Sequence, residues 1–253
     1  MSEAMVKRIL ITNDDGIAAP GLEVLTDIAH ALAEEVWVAA PEHDRSGAGQ
    51  SISLHTPLRV YQHANRRYAV SGTPADCILF ALAEWFSESP PDLVLSGVNC
   101  GANISDSVQY SGTVGAVLTA EHMGVSAIAM SQAYLNREGI NWAPVSVWGE
   151  RVIRALWQAE ETCCWNVNFP ACEAEEISEM RWARQSTGSI QRTQLLAGQD
   201  SRNLPYWWLG FERSSRHIVA PDSDVAVLRD HAIAVTPLRS NAGLPGGATM
   251  VVL

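Results

Sequence analysis

Apolar residues recur along the first two thirds of the chain in two rhythms. Short aliphatic runs at 8–12, 36–40, 92–96 and 126–130 alternate with stretches in which apolar positions return every three or four residues. That second rhythm is the signature of a helix with one buried face. It fits 21–33, where Leu22, Leu25, Ile28, Ala29 and Leu32 share a side, and also 74–86, 113–123 and 144–159. Thr73 followed by Pro74 opens the second of these with a cap and a proline at the first helical position. Strands alternating with helices predict a parallel sheet covered on both faces. The expected fold is therefore α/β, a three-layer, Rossmann-like, mostly parallel sheet.

Two segments break the rhythm. Between His55 and Ser71 the apolar stretches 58–61 and 68–70 flank a polar Gln62–Arg67, which predicts a small inserted hairpin. From about 186 to 215 the pattern weakens around Gly188, Gly198 and Gly210, and the run Tyr206-Trp207-Trp208 stands out, so this stretch is expected to be a C-terminal excursion from the main sheet. Regularity returns at Val225–Leu228 and in the strand-like Ala232–Thr236. The chain reads as one domain over 1–253, with a core at about 6–185 and 216–238 and a tail at about 239–253. That tail ends in the apolar Met250-Val251-Val252-Leu253, which suits packing at home or docking on a neighbouring subunit.

Composition narrows the chemistry. With 253 residues, 47% of them hydrophobic and 18% charged, the chain can bury a full core. A net charge of −11 disfavours a nucleic-acid polymer as partner, because its backbone needs a basic surface. No apolar run reaches the roughly 18 residues of a membrane span, and the first residues lack the apolar core of a secretion signal, so a cytoplasmic protein without a membrane partner is expected. The 5 cysteines are odd in number and show no Cys-x-x-Cys spacing, which points to neither a disulfide framework nor a zinc site.

The polar residues gather where the predicted strands end, and ligands of open α/β sheets bind there. Asn13-Asp14-Asp15-Gly16 follows the first strand and precedes the first helix. Asp-Gly is also a hairpin-turn signal, but the helical spacing that follows places this pair on a strand-to-helix turn. Two neighbouring carboxylates stay ionised most readily beside a cation, and magnesium, manganese or calcium prefers oxygen ligands. After the second strand comes Arg45-Ser46-Gly47-Ala48-Gly49, with a hydroxyl and backbone suited to close approach. After the third comes Ser96-Gly97-Val98-Asn99-Cys100-Gly101-Ala102-Asn103, leading to Ser111-Gly112-Thr113 at a helix start, where backbone N–H groups favour an anion. Ser131-Gln132 adds a weak fourth cluster. Asn99 and Asn103 offer neutral oxygens and amide donors where a further carboxylate would repel phosphate.

Taken in order, Asn13-Asp14-Asp15-Gly16-Ile17 with Pro20-Gly21, Arg45-Ser46-Gly47 with Gly49 and Ser51, Gly72-Thr73-Pro74-Ala75-Asp76-Cys77, Ser96-Gly97 with Asn99, Gly101 and Asn103, and Tyr110-Ser111-Gly112-Thr113-Val114 resemble the motifs of the SurE family. Members of that family are metal-dependent nucleoside monophosphate phosphatases. The resemblance is strong over about 8–130 and loose beyond, where Asp224 and Val235-Thr236-Pro237-Leu238 still fit. It implies one divalent cation per subunit, magnesium or manganese, on Asp14, Asp15, Ser46 and Asn99. Asp14, Asp15 and Asn99 would be catalytic, and Asn13, Ser46, Gly47, Asn103, Ser111, Gly112 and Thr113 would bind phosphate. Further implications are release of phosphate from nucleoside 5′- and 3′-monophosphates, activity on short polyphosphate, and a homodimer or homotetramer formed through C-terminal elements. From the residues themselves, a transferase using a nucleotide-linked donor and a nucleotide-binding regulator without turnover remain alternatives, as does attack by Asp14 in place of water.

Overall fold

A computed structural model describes residues 4–136, 139–159, 164–213 and 219–239. In chain order the elements are β1 (Val6–Thr12), α1 (Pro20–His30), β2 (Ala33–Pro41), β3 (Val60–Ala64), β4 (Arg67–Val70), α2 (Pro74–Glu84), β5 (Leu93–Cys100), α3 (Gly112–His122), β6 (Ala127–Gln132), α4 (Ala143–Trp157) and β7 (Cys164–Phe169). There follow β8 (Met180–Trp182), β9 (Ile190–Gln199), β10 (Pro205–Arg213), α5 (Asp224–Arg229) and β11 (Ile233–Pro237). A nine-stranded sheet runs in the order β3-β4-β2-β1-β5-β6-β7-β11-β8, and β9 pairs with β10 in a separate two-stranded sheet. Only the β3–β4 and β7–β11 pairings of the large sheet are antiparallel. The expected α/β architecture is the observed one.

Side chains alternate across the sheet and find a helix layer on each face. Ile9 and Ile11 of β1 join Leu22, Leu25 and Ile28 of α1 and Val152 and Ile153 of α4 in one core. Leu10, between them, packs in the other with Ile78 and Ala81 of α2 and Val114 and Val117 of α3. Successive strand residues face opposite sides, so a central strand buried on both faces reads as a continuous apolar run. Helix α1 stops at His30, three residues before the periodicity does, because the chain must turn to begin β2 at Ala33. Leu32, still fully buried, sits in that turn and donates its N–H to the Ala29 carbonyl.

At α2 the Thr73 hydroxyl accepts from the Asp76 N–H at 3.1 Å and the Asp76 carboxylate accepts from the Thr73 N–H at 2.9 Å, a reciprocal capping box. The same carboxylate accepts from the Ser53 N–H and hydroxyl, fastening the long loop after β2 to this helix. The inserted hairpin is β3–β4, whose second strand joins the sheet parallel to β2. The apolar run at 225–228 is helical, capped by the Ser223 hydroxyl. The excursion is the β9–β10 hairpin, with Leu195, Leu196, Trp207, Trp208 and Leu209 all exposed. Among the described residues no helix is long and apolar enough to cross a membrane.

Candidate active site at the strand ends

Strand β1 lies between β2 and β5, both parallel to it, so its carboxyl end opens at the centre of the sheet. The chain turns there because Asn13, fully buried, accepts from the Gly16 N–H at 3.2 Å and donates to the Gly16 carbonyl at 2.9 Å. Gly16 sits at φ 100°, a conformation side-chain-bearing residues rarely adopt. Asn13 thus shapes the turn rather than lining a pocket.

The turn displays the two carboxylates differently. Asp14 is only 4% exposed, and its Oδ1 accepts from the Thr113 hydroxyl at 2.6 Å. Asp15 accepts from the Cys100 N–H at 3.0 Å. Burial pushes the Asp14 carboxyl up to about 6, opposed by the Thr113 hydroxyl and reinforced by the charge of Asp15. A buried carboxyl beside a half-buried one is an arrangement that could hold a cation.

Neighbouring segments are locked to it through the backbone. The Arg45 N–H donates to the Asp14 carbonyl at 2.8 Å, and the Gly49 N–H to the Tyr110 carbonyl at 3.1 Å, which together hold Ser46 and Gly47 over the site. The Ser111 hydroxyl caps α3 by accepting from the Val114 N–H at 3.1 Å. A Cβ on Gly112 would lie 2.8 Å from the Asp14 Cβ, so only glycine lets the positive end of α3 come this close. The helix start expected to cradle phosphate therefore also faces Asp14.

Asn99 donates through Nδ2 to the Gly101 carbonyl at 2.7 Å, which commits its nitrogen and leaves the oxygen as the end for a cation. Asn103 is buried and donates to the Ser131 hydroxyl at 2.9 Å and to Thr113 at 3.4 Å. Its own backbone is gripped from β7: its N–H donates to the Asn168 carboxamide oxygen at 2.8 Å, and its carbonyl accepts from Asn166 at 2.8 Å and Asn168 at 3.2 Å. A polar chain thus runs from β7 through Asn103 and Thr113 to Asp14.

A pocket of about 210 Å³ brings together Asp14, Ser46, Gly47, Asn99, Asn103 and Ser111. Asp15 instead lines an adjoining cavity of about 430 Å³ with Asp44, Gly21 and Trp142, the two meeting at Cys100. Gly112 and Thr113 touch Asp14 from behind without lining either space. Tyr110, which opens the motif before α3, also lines the pocket, and sequence reasoning missed the remaining walls, Ser107, Tyr134, Phe211 and Arg213. Tyr110 packs against Phe211 with ring centroids 5.3 Å apart. Phe211 and Arg213 come from β10, whose mostly exposed residues carry no alternation to mark them.

An α/β sheet whose parallel strand ends carry an acid pair, a hydroxyl loop and a helix start around two adjoining cavities defines an enzyme-like α/β protein with its site at the strand ends. The family model "Survival protein SurE" matches residues 9–192. Over 234 residues the chain is 44% identical to "5'-nucleotidase SurE 1" of Burkholderia lata, spanning 92% of this chain and 90% of that protein. It is 42% identical over 238 residues to "5'-nucleotidase SurE" of Bradyrhizobium diazoefficiens, spanning 92% and 93%. The crystal structure of the SurE protein from Aquifex aeolicus superposes with a TM-score of 0.79 at 29% identity, covering 93% of this chain and 94% of that one. The chain belongs to the SurE family.

Proposed function

We propose that the protein is a metal-dependent phosphomonoesterase that hydrolyses nucleoside 5′- and 3′-monophosphates to nucleoside and phosphate, with short polyphosphate as a further substrate. The observation that carries this reading is the buried Asp14 carboxyl beside Asp15, lining a polar pocket of about 210 Å³ with Ser46, Asn99 and Ser111. The donor set of two carboxylates, a hydroxyl and a carboxamide oxygen fits one hard divalent cation per subunit, magnesium or manganese, held by Asp14, Asp15, Ser46 and Asn99. When bound, that cation supplies charge against the phosphate oxygens and lowers the pKa of a coordinated water.

The protein's own groups do the positioning on which phosphoryl transfer depends. Gly47, Ser111 and the start of α3 orient the phosphate, and Asn103, held by Asn166 and Asn168, lines the pocket wall and steadies Asp14 through Thr113. Water attacks phosphorus as the P–O bond to the nucleoside breaks, an aspartate oxygen accepts the water's proton, and the departing nucleoside oxygen takes up a proton from solvent. Asp14 is a poor nucleophile in its place, being 4% exposed with one oxygen committed to Thr113. Trapping a phosphorylated Asp14 would overturn that choice.

Phosphate release from a panel of nucleoside monophosphates, with manganese or magnesium and with chelator, tests the proposal. Release that requires the cation supports it. A folded protein inert with every metal refutes it in favour of a binding or transferase role. The exposed Trp207 and Trp208 on opposite faces of β10 support assembly into a homodimer or homotetramer through C-terminal elements, and Met250–Leu253 lie outside the described residues.

Arg213 and Phe211 reach the pocket because the hairpin is clamped to the turn before α3. Asp106 accepts from the Gly188 N–H at 3.0 Å, the Ile190 N–H at 2.9 Å and the Ser189 hydroxyl at 3.2 Å, bonds that hold its carboxyl below the usual range. Asp106→Ala is expected to raise KM about tenfold while kcat changes little, because the wall loosens and the acid pair does not. Steady-state kinetics on one 5′-monophosphate would show the split, and an equal fall in kcat would place the hairpin in the chemistry instead.

A further inference from the structure

Beyond the strand-end pocket, and independently of the activity proposed for it, three side chains of different chemistry converge at the carboxyl end of β7, on the same edge of the sheet. Cys172 follows β7, Glu176 closes the short 3₁₀ turn Ala174–Glu176, and His231 lies between α5 and β11. The antiparallel pairing of β7 with β11, with Asn168 opposite Ala234, brings the end of one strand beside the start of the other. The thiol, a carboxylate oxygen and an imidazole nitrogen all lie within 4.8 Å of one another.

We propose that Cys172, Glu176 and His231 form a second cation site, suited to a borderline ion such as Zn(II) rather than to the hard cation of the strand-end pocket. Thiolate and imidazole favour zinc and neighbouring transition ions, whereas magnesium and manganese prefer all-oxygen sets. Ligand atoms around a tetrahedral zinc stand about 3.3–3.8 Å apart, given its bond lengths, so the three side chains need close by only about 1 Å. Glu176 and His231 are exposed and have room to do so. Three protein ligands leave one coordination position to water.

The surroundings are arranged for such an ion. Glu176 is preset, since one of its oxygens accepts from the Glu173 N–H at 2.9 Å in a capping box. The turn itself is anchored to α4 by the Trp148 indole, which donates to the Ala174 carbonyl at 3.0 Å. His231 occupies the left-handed position that ends α5, with φ 56°. Its N–H donates to the Leu228 carbonyl and that of Ala232 to the Val227 carbonyl, each at 3.2 Å, a Schellman pair that ordinarily carries glycine or asparagine at this place. Histidine is one of the few side-chain-bearing residues that adopt this conformation readily, and here it also brings an imidazole nitrogen to the cluster.

The test is a Co(II) titration of the purified full chain in excess Mg(II), followed by Zn(II). Wild type is expected to develop a thiolate-to-cobalt charge-transfer absorption that stoichiometric Zn(II) abolishes. Cys172→Ser loses the absorption and Cys100→Ser keeps it. His231→Asn, which suits the left-handed backbone and so preserves the fold, weakens Co(II) binding roughly tenfold or more. A wild-type protein without the absorption, a Cys172→Ser protein that retains it, or unchanged affinity in His231→Asn overturns the assignment.

Discussion

Asp14→Asn is expected to lower cation-dependent phosphate release by roughly 10³-fold, because it removes a charge aimed at the cation and the reacting group. The carboxamide can still accept from Thr113, so the loss is one of charge and not of geometry. Stability should move the other way. In the metal-free protein the folded Asp14 titrates near 6 against an ordinary 3.8, so the native state holds the proton more tightly and stability is lost as pH rises from about 4 through 6. At neutral pH the accumulated penalty is about 3 kcal/mol. Melting curves with chelator should show that decline in wild type and not in Asp14→Asn, while added manganese restores wild type alone. Protons and cation compete for the same oxygens, so the acid limb of activity should shift to lower pH as metal is raised. A variant that keeps more than about a tenth of wild-type activity would remove Asp14 from the chemistry.

The second large effect is expected at Gly115, one turn into α3. A Cβ there would lie 2.1 Å from the Gly49 carbonyl oxygen and 2.5 Å from its carbon, backbone atoms that can yield only if the Ser46–Gly49 loop moves off the helix. Gly115→Ala gains helix propensity of about 1 kcal/mol, yet the overpacking costs about 1–3 kcal/mol and displaces Ser46 and Gly47 from Asp14. Activity is expected to fall about 100-fold, since small misplacements of reacting groups are costly, with a melting temperature lower by a few degrees. A control substitution at Gly124, where nothing lies within 4 Å but φ is +80°, should cost stability without touching turnover. Equal activity losses in both would mean that Gly115 acts through general destabilisation.

What the sequence disclosed and what it hid divide along burial. The acid pair was legible because Asp14 and Asp15 end an apolar run and a helical period follows at once. Thr73-Pro74 likewise announced α2, since caps are local chemistry. Strand β7 escaped, although its two asparagines grip Asn103, because polar residues on a buried strand mimic a loop until their partners are known. Tyr134, Phe211 and Arg213 escaped for a different reason: they meet the pocket through neighbours remote in sequence, Tyr134 beside Gly101 and Phe211 on Tyr110, and no local pattern encodes those. The motif resemblance, with carboxamide chemistry for Asn103, makes Asn13 and Asn103 phosphate ligands. The hydrogen bonds give Asn13 to the turn and share Asn103 between the pocket and its buried supports.

The hairpin that supplies Phe211 and Arg213 stands outside the nine-stranded sheet, with most of its side chains in solvent. A substitution there disturbs little of the interior on which folding rests, whereas one near Asp14 disturbs both fold and reaction. Selection can therefore revise what the pocket admits at small cost while the reacting centre is held still. Divergence in substrate range among proteins of this build should accumulate in β9 and β10 first.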